Sequence, residues 1–540
     1  MRNNKRERIF LLFSLLLVMV YFPLAWAAAQ LSVGGVNIIR ISGRTIVDEK
    51  GNLQVNLEWK VPTDALYMQI KRNYPNPYMI LREFLPQRAT REVANAKTEY
   101  NDAKNSLQLT IDFLGASVNK KGRWEIYMGK GAECIWVENQ KATFLQVVPL
   151  NFPMIEVMDL VVSLPQEASS IMYEEGKGLL VYSLPEKPAT GSCELNLSVK
   201  CKPRIMAATY KLYGNPQSFE ESMWVAKALF RNTGECNIRN LKVAYRLGGY
   251  SNWSSPKTYS LIVPGGCVVD LYYPVIWLKV TELTTRTPVD LEIKYTYEDE
   301  RRNTYSDVTA ERMEILGISQ IEFSNLTVEE KTGTWADNFS NSPLLVAWVT
   351  HLDSPVKALA GMVSQFAGGI PTALDRESAI KFCKALYDLE VANGMAYQTP
   401  SGFLIQYSPG QDIKYPRDVL RDKSGTCVDL AILYASVCEA VGLETVLVVI
   451  PGHSFPVVIL PGGRLLPVES TAISGPKGAA SFDKALENGQ KQLSQLQVGM
   501  YYMVDVEAMR EQGVVSPELP KLEPDILKRW EWRLPRRRSS

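Results

Sequence analysis

The 540 residues carry 59 basic and 58 acidic side chains, a formal net charge of +1. That balance lacks the basic excess a nucleic-acid partner calls for. A length of this order holds three or so domains, each able to bury a core.

Met1 to Arg8 holds four basic residues and one acid, and Ile9 to Trp26 is an apolar run of 18 positions. Ala25-Trp26-Ala27 and Ala27-Ala28-Ala29 both fit an A-x-A cleavage pattern, so residues 1–29 read as a signal peptide. Removing its +3 from the formal +1 leaves a mature charge near −2. The alternative is an uncleaved anchor, whose length is close to that of a membrane span; it would be the chain's one membrane contact. Pro23 and the small residues favour cleavage. The expected location is extracytoplasmic: secreted, periplasmic or at the cell surface.

From residue 30 to 204 the chain reads as a β-sandwich domain. Leu53, Val55, Leu57, Trp59 and Val61 alternate, as do Leu107, Leu109, Ile111 and Phe113, and again Leu195, Leu197, Val199 and Cys201. Period two between Gly, Pro and Asn punctuation is the strand signal. The charged stretch Arg88 to Asn105 reads as a short helical excursion or a long hairpin loop. Residues 205–320 repeat the pattern, with Leu241, Val243, Tyr245 and Leu247 and then Val289, Leu291, Ile293, Tyr295 and Tyr297 alternating. This second unit reads as an immunoglobulin-like sandwich. Trp253, Tyr272 and Tyr273 are expected in its strand core, and a cell-surface partner would be met through these two β domains.

Eight cysteines lie at positions 134, 193, 201, 236, 267, 383, 427 and 438. Cys193 with Cys201 and Cys236 with Cys267 are candidate bridges, although spacing does not fix connectivity. Cys427 and Cys438, on one helix, are held about 16 Å apart by the helical rise, too far to bridge. No His/Cys cluster has metal-site spacing, and no cofactor is expected.

Residues 321–342 read as a polar linker, after which residues 343–515 change to helical patterning. Asp353-Ser354-Pro355 is a start signal, a capping side chain ahead of Pro in the first turn. His351, just before it, reads as a helix-end or surface histidine. Arg376 to Ala392 follows, with Ile380, Cys383, Leu386 and Tyr387 on one face and Asn393-Gly394 as its stop. Cys427 to Val441 is apolar or small almost throughout, which predicts a helix buried nearly all round and ended by Gly442. Thr445 to Ile450, Phe455 to Leu460 and Arg464 to Glu469 read as strands separated by Pro451-Gly452 and Pro461-Gly462-Gly463. Ser481 to Gln497 reads as a helix, Met500 to Val506 as a strand, and residues 516–540 as a frayed, basic, aromatic tail.

The chemistry concentrates in Ser424 to Thr471. Gly425 and Thr426 turn the chain so that Cys427 falls in a first helical turn, where unpaired N–H groups and the helix dipole favour a thiolate. His453 opens one strand and Glu469 closes the next, so three candidate catalytic residues follow in order. A His takes the thiol proton and returns it to the leaving group, while a carboxylate fixes its tautomer. The chain has only two histidines, His351 and His453. Asp429 reads as a supporting residue near the site. The backbone N–H of Cys427 is one oxyanion donor; Gln406, Tyr407 and Gln411 are the side-chain candidates for another.

Gly-x-Cys-x-Asp on a buried helix, His at a strand start and an acid on the next strand together resemble the transglutaminase-like cysteine hydrolase superfamily. The segment YPRDVLRDKSGTC is similar to that family's approach to its nucleophile. The resemblance spans about residues 344–515 and implies a papain-like α+β fold, with Cys427 as nucleophile, His453 as base and Glu469 in place of the commoner Asp. The expected architecture is therefore multidomain, two all-β sandwiches followed by an α+β transglutaminase-like domain. The expected function is amide or peptide cleavage or transfer through an acyl-enzyme, on a protein, peptide or cell-wall amide. The alternative is a non-catalytic cell-surface binding or assembly protein with a silent scaffold of that fold.

Overall fold

The computed structural model describes residues 37–535 except 75, 78–79, 82–87, 130–131, 150–153, 190, 328–329, 332–333, 370–373, 400–409, 476–477, 498 and 524. The signal-peptide assignment lies outside the described residues. Among them no helix is long and apolar enough to cross a membrane.

The chain is rich in β-structure, with several sheets and a helical C-terminal part. A seven-stranded sheet runs in the order Glu92–Asn101, Ser106–Leu114, Leu53–Lys60, Asn37–Val47, Met154–Ser163, Lys141–Pro149, Glu133–Glu138. Its pairs are antiparallel except Asn37–Val47 with Met154–Ser163. The alternation read from the sequence is what buries it: Leu53, Val55, Leu57 and Trp59 share a core with Trp124, Ile126, Leu180 and Tyr182 of the facing strands. Glu92–Asn101, expected as helix or loop, is a strand, because pairing with Ser106–Leu114 supplies the ladder that its polar residues do not advertise.

The facing strands belong to a nine-stranded sheet that continues into the second β region through one residue pair, Leu261 with Asn119. A three-stranded sheet of Leu195–Cys201, Ala226–Asn232 and Cys267–Tyr272 completes that second unit. The strand at 195–201, counted with residues 30–204, thus pairs beyond that boundary, because alternation marks a strand without naming its partner. The disulfide also departs from expectation. Cys193 joins Cys236, with Cα atoms 5.0 Å apart, and Cys201 and Cys267 are free. Tyr272 is buried and stacked on Tyr245 at 4.8 Å, whereas Trp253 lies at the surface beneath the Arg246 guanidinium and the Tyr273 hydroxyl donates to the Glu220 carbonyl.

The stretch expected as a linker is packed. Gln320–Glu322 pairs with Gly410–Asp412, Trp335 stacks on Phe339 at 4.7 Å, and Asn341 donates to the Glu322 carbonyl. Beyond it, Ser354–Phe366, Arg376–Ala392 and Cys427–Glu439 are helices, and Leu465–Pro467, His453–Ile459, Glu444–Ile450 and Tyr502–Asp505 form a four-stranded sheet in that order. Asp353 does not cap its helix with its side chain; both of its oxygens bind Arg417, at 2.6 and 2.8 Å. The tail is docked as far as residue 535: Trp532 is buried and donates to the Leu420 carbonyl at 2.8 Å, and Asn393 bonds the Arg533 backbone in both directions.

The helix Cys427–Glu439 is central because it has no polar face. Val428, Ala431, Ile432 and Ala435 lie in one core with strands of the second β region, while Leu430, Leu433, Tyr434 and Val437 lie in another with the neighbouring helices. Every residue from Cys427 to Cys438 is buried, so the helix end is held from all sides.

Candidate active site

The first turn of the central helix is fixed by a reciprocal cap. The Thr426 hydroxyl accepts from the Asp429 N–H, and the Asp429 carboxylate accepts from the Thr426 N–H at 2.8 Å and from the Lys414 N–H at 2.9 Å. A side chain at Gly425 would meet the Asp429 Cβ at 2.8 Å, so glycine is required by close approach. Asp429 therefore acts on the turn, spending its oxygens on backbone donors. Ala396–Tyr397 runs parallel to Ser424–Gly425, and the Gln398 N–H donates to the Gly425 carbonyl at 2.8 Å. Cys427, 5% exposed, emerges from this turn.

His453 opens its strand directly after the turn Pro451-Gly452, where Gly452 has φ +75°. Its Nε2 lies 2.8 Å from Glu469 Oε2. That leaves Nδ1 as the ring nitrogen on the Cys427 side, and Cys427 lies near enough to the ring to act on its charge. The structure thus brings Cys427, His453 and Glu469 into one series. Burial works against a charged His453, but Cys427 and Glu469 outweigh it and raise its pKa to about 9. Burial likewise opposes charge on Glu469, yet the bond and charge of His453, with the N–H and hydroxyl of Thr471, hold its carboxyl below the ordinary range. Gln492 Nε2 donates to the same Glu469 Oε2 at 2.6 Å. Imidazolium beside carboxylate is the arrangement that favours thiolate at a helix N-terminus.

Of the expected oxyanion donors, Gln406 and Tyr407 lie outside the described residues. Gln411 sits opposite Ile321 in the short pair with Gln320–Glu322, and no bond joins it to the three residues among those described. Tyr397 was not singled out by its sequence context. Burial, then the charges of Cys427 and Glu469, raise its phenol, and its backbone lies beside the turn that precedes Cys427. Only the pairing of Ala396–Tyr397 with Ser424–Gly425 puts it there, and that pairing has no local sequence signal.

At the far end of the same helix, His351 is half-buried rather than a surface residue. Arg510 Nη2 lies 2.8 Å from its Nδ1, and Arg510 Nη1 bonds the Glu439 carboxylate at 2.7 Å. Burial first, and the guanidinium second, lower its pKa to about 4. It lines a cavity of about 580 Å³ with Thr350, Leu352, Val515 and Leu519. Among the described residues no group of three or more His, Cys, Asp and Glu is arranged to hold a metal ion.

No family model matches the chain, and no curated protein matches it. Three solved structures are similar over parts of it. Extracellular cadherin domains 3–6 of protocadherin gamma B2 match at 8% identity over 53% of this chain and 46% of that one, with a TM-score of 0.14. The adhesin InvE of Yersinia pseudotuberculosis matches at 8% over 52% and 60%, with a TM-score of 0.13. A provisionally assigned protease from Parabacteroides distasonis matches at 10% over 80% and 66%, with a TM-score of 0.18. This chain spans about half to two thirds of the length of these structures, and at such TM-scores the likenesses carry no argument about activity.

Proposed function

We propose that this protein is an exported thiol enzyme that cleaves an amide bond through an acyl-enzyme, its C-terminal part being a transglutaminase-like, papain-like domain. The observation that carries the reading is the series Cys427, His453, Glu469 at the capped start of a buried helix, with His453 bonded to Glu469 and acted on by Cys427. A structural cysteine has no need of an imidazole that is itself held by a buried carboxylate. The disulfide Cys193–Cys236 supports an oxidising compartment.

In the proposed reaction the Cys427 proton passes to His453 Nδ1 and the sulfur bonds to the carbonyl carbon. The resulting oxyanion is met by the Cys427 backbone N–H and the Tyr397 hydroxyl. As the intermediate collapses, the C–N bond breaks and the departing nitrogen takes the proton from Nδ1. Water, deprotonated by the same nitrogen, then cleaves the thioester; an amine in its place gives transfer, and hydrolysis is preferred. Glu469 keeps Nε2 protonated throughout, so that Nδ1 is the nitrogen that works.

The test is the pH dependence of iodoacetamide labelling, read at each cysteine by peptide mapping. Selective labelling of Cys427 near pH 6, lost in His453→Ala, is expected. Labelling only above about pH 8, near the free-thiol value and indifferent to His453, would leave a silent scaffold in a surface binding protein as the better reading.

A further inference from the structure

Beside the triad, on the sheet face covered by the helix Phe482–Ser494, lies a cavity of about 500 Å³. Ile450, Pro451, Leu496 and Met500 supply apolar walls, and three glutamine side chains, Gln492 among them, supply the polar ones. Among the described residues no charged one lines it. The volume falls within the usual range for a ligand pocket.

Two contacts tie this cavity to the catalytic series. Ile450 is the residue directly opposite His453 across the hairpin, so the two side chains leave the same sheet face, with Cβ atoms about 5 Å apart. Gln492 reaches the triad itself, donating Nε2 to the Glu469 oxygen that also binds His453, while its Oε1 is buried without a partner among the described residues.

Resting on the thiol-enzyme reading above, we propose that this cavity is the subsite for the leaving-group half of the substrate, and that it takes an uncharged, apolar side chain. The direction follows from proton transfer: His453 hands its proton to the departing nitrogen, so that half of the amide lies on the histidine side of Cys427, where the cavity is. The chemistry follows from the walls. A charged occupant would lose its hydration among Ile450, Leu496 and Met500 with no counter-charge to replace it, whereas an aliphatic one gains by burial. Gln492 is on this account a positioning residue, holding Glu469 from the wall of the cavity.

The experiment uses N-substituted iodoacetamides on the full mature chain at pH 6, with Cys427 alkylation read by peptide mapping. The N-substituent stands in for the departing amine and is butyl, 4-aminobutyl or 3-carboxypropyl. The butyl reagent is expected to react about 10-fold faster than either charged one. Leu496→Glu and Met500→Glu, made separately and checked for fold by circular dichroism, are expected to invert the butyl-to-aminobutyl ratio. Val275→Glu, on an exposed loop elsewhere, is expected to leave it alone. Equal rates for the three reagents, or a ratio unmoved by both variants while Cys427 still reacts at pH 6, overturns the subsite and spares the thiol-enzyme reading. A Cys427 inert to plain iodoacetamide at pH 6 overturns both.

Discussion

The two histidines stand at opposite ends of one buried helix and make opposite use of the same ring. His453, at the Cys427 end, faces a carboxylate and a thiol and is pushed up to about 9; His351, beyond the Glu439 end, faces a guanidinium and is pushed down to about 4. Both rings are part-buried, and burial acts in the same direction on each. The partner decides the outcome. Glu439 is bonded to Arg510 Nη1 and does not serve His351 as Glu469 serves His453, so His351 meets a cation and stays neutral. Position on the helix adds to this, because an N-terminus favours the thiolate that an imidazolium then pairs with.

The contrast also has a sign in stability. The raised pKa of His453 stabilises the fold fully below 6.5, and that contribution is lost as pH rises through about 9. The lowered pKa of Glu469 stabilises above the ordinary carboxylate range and is lost as pH falls through the depressed value. The pair is therefore at full strength between those limits. His351 runs the other way: between about 4 and 6.5 the unfolded chain binds a proton that the folded ring refuses, so stability falls as the solution is acidified.

Breaking the His453 side should have the largest effect. His453→Ala is expected to slow Cys427 alkylation at pH 6 by at least about 100-fold, the lower end of what a positioned base contributes. Glu469→Gln keeps the shape and removes the charge; the expected result is a fall of His453 from about 9 toward 6.5 and labelling slowed by roughly 10-fold at pH 6. On the other side, Arg510→Met leaves Glu439 buried without its cation, and denaturant unfolding should register a loss of ~3 kcal/mol. The same variant should let His351 rise toward 6.5. The smallest effect belongs to His351→Gln, which should flatten the acid limb of the stability curve between pH 4 and 6.5 by about 1 kcal/mol, once its solvent exposure is discounted.

The Cys427 end was legible because its signals are local. An unbroken apolar run, a Gly-x-Cys turn and two strand-like segments give the helix, its start and the order of the three catalytic candidates, and periodicity alone marked Arg376–Ala392. What escaped was pairing at a distance. Tyr397 is brought beside Gly425 by a two-residue parallel bridge, Gln492 reaches Glu469 from a helix 23 positions on, and Arg510 reaches His351 across 159. The β-domains repeat the lesson. Alternation found the strand at 195–201 but not its partner, and it is that pairing which brings Cys193 near Cys236 in place of Cys201. Trp532 looked like part of a frayed end because nothing local says that the Leu420 carbonyl awaits a donor.

With only two histidines in 540 residues, their titration can be followed individually by nuclear magnetic resonance of the mature protein labelled with 13C-histidine. The account predicts one ring with a midpoint near 9 that drops in Cys427→Ala and in Glu469→Gln, and a second near 4 that neither variant moves. A His453 that titrates near 6.5 and ignores the loss of Cys427 would contradict it, and the thiol would then be a buried cysteine with an unremarkable neighbour.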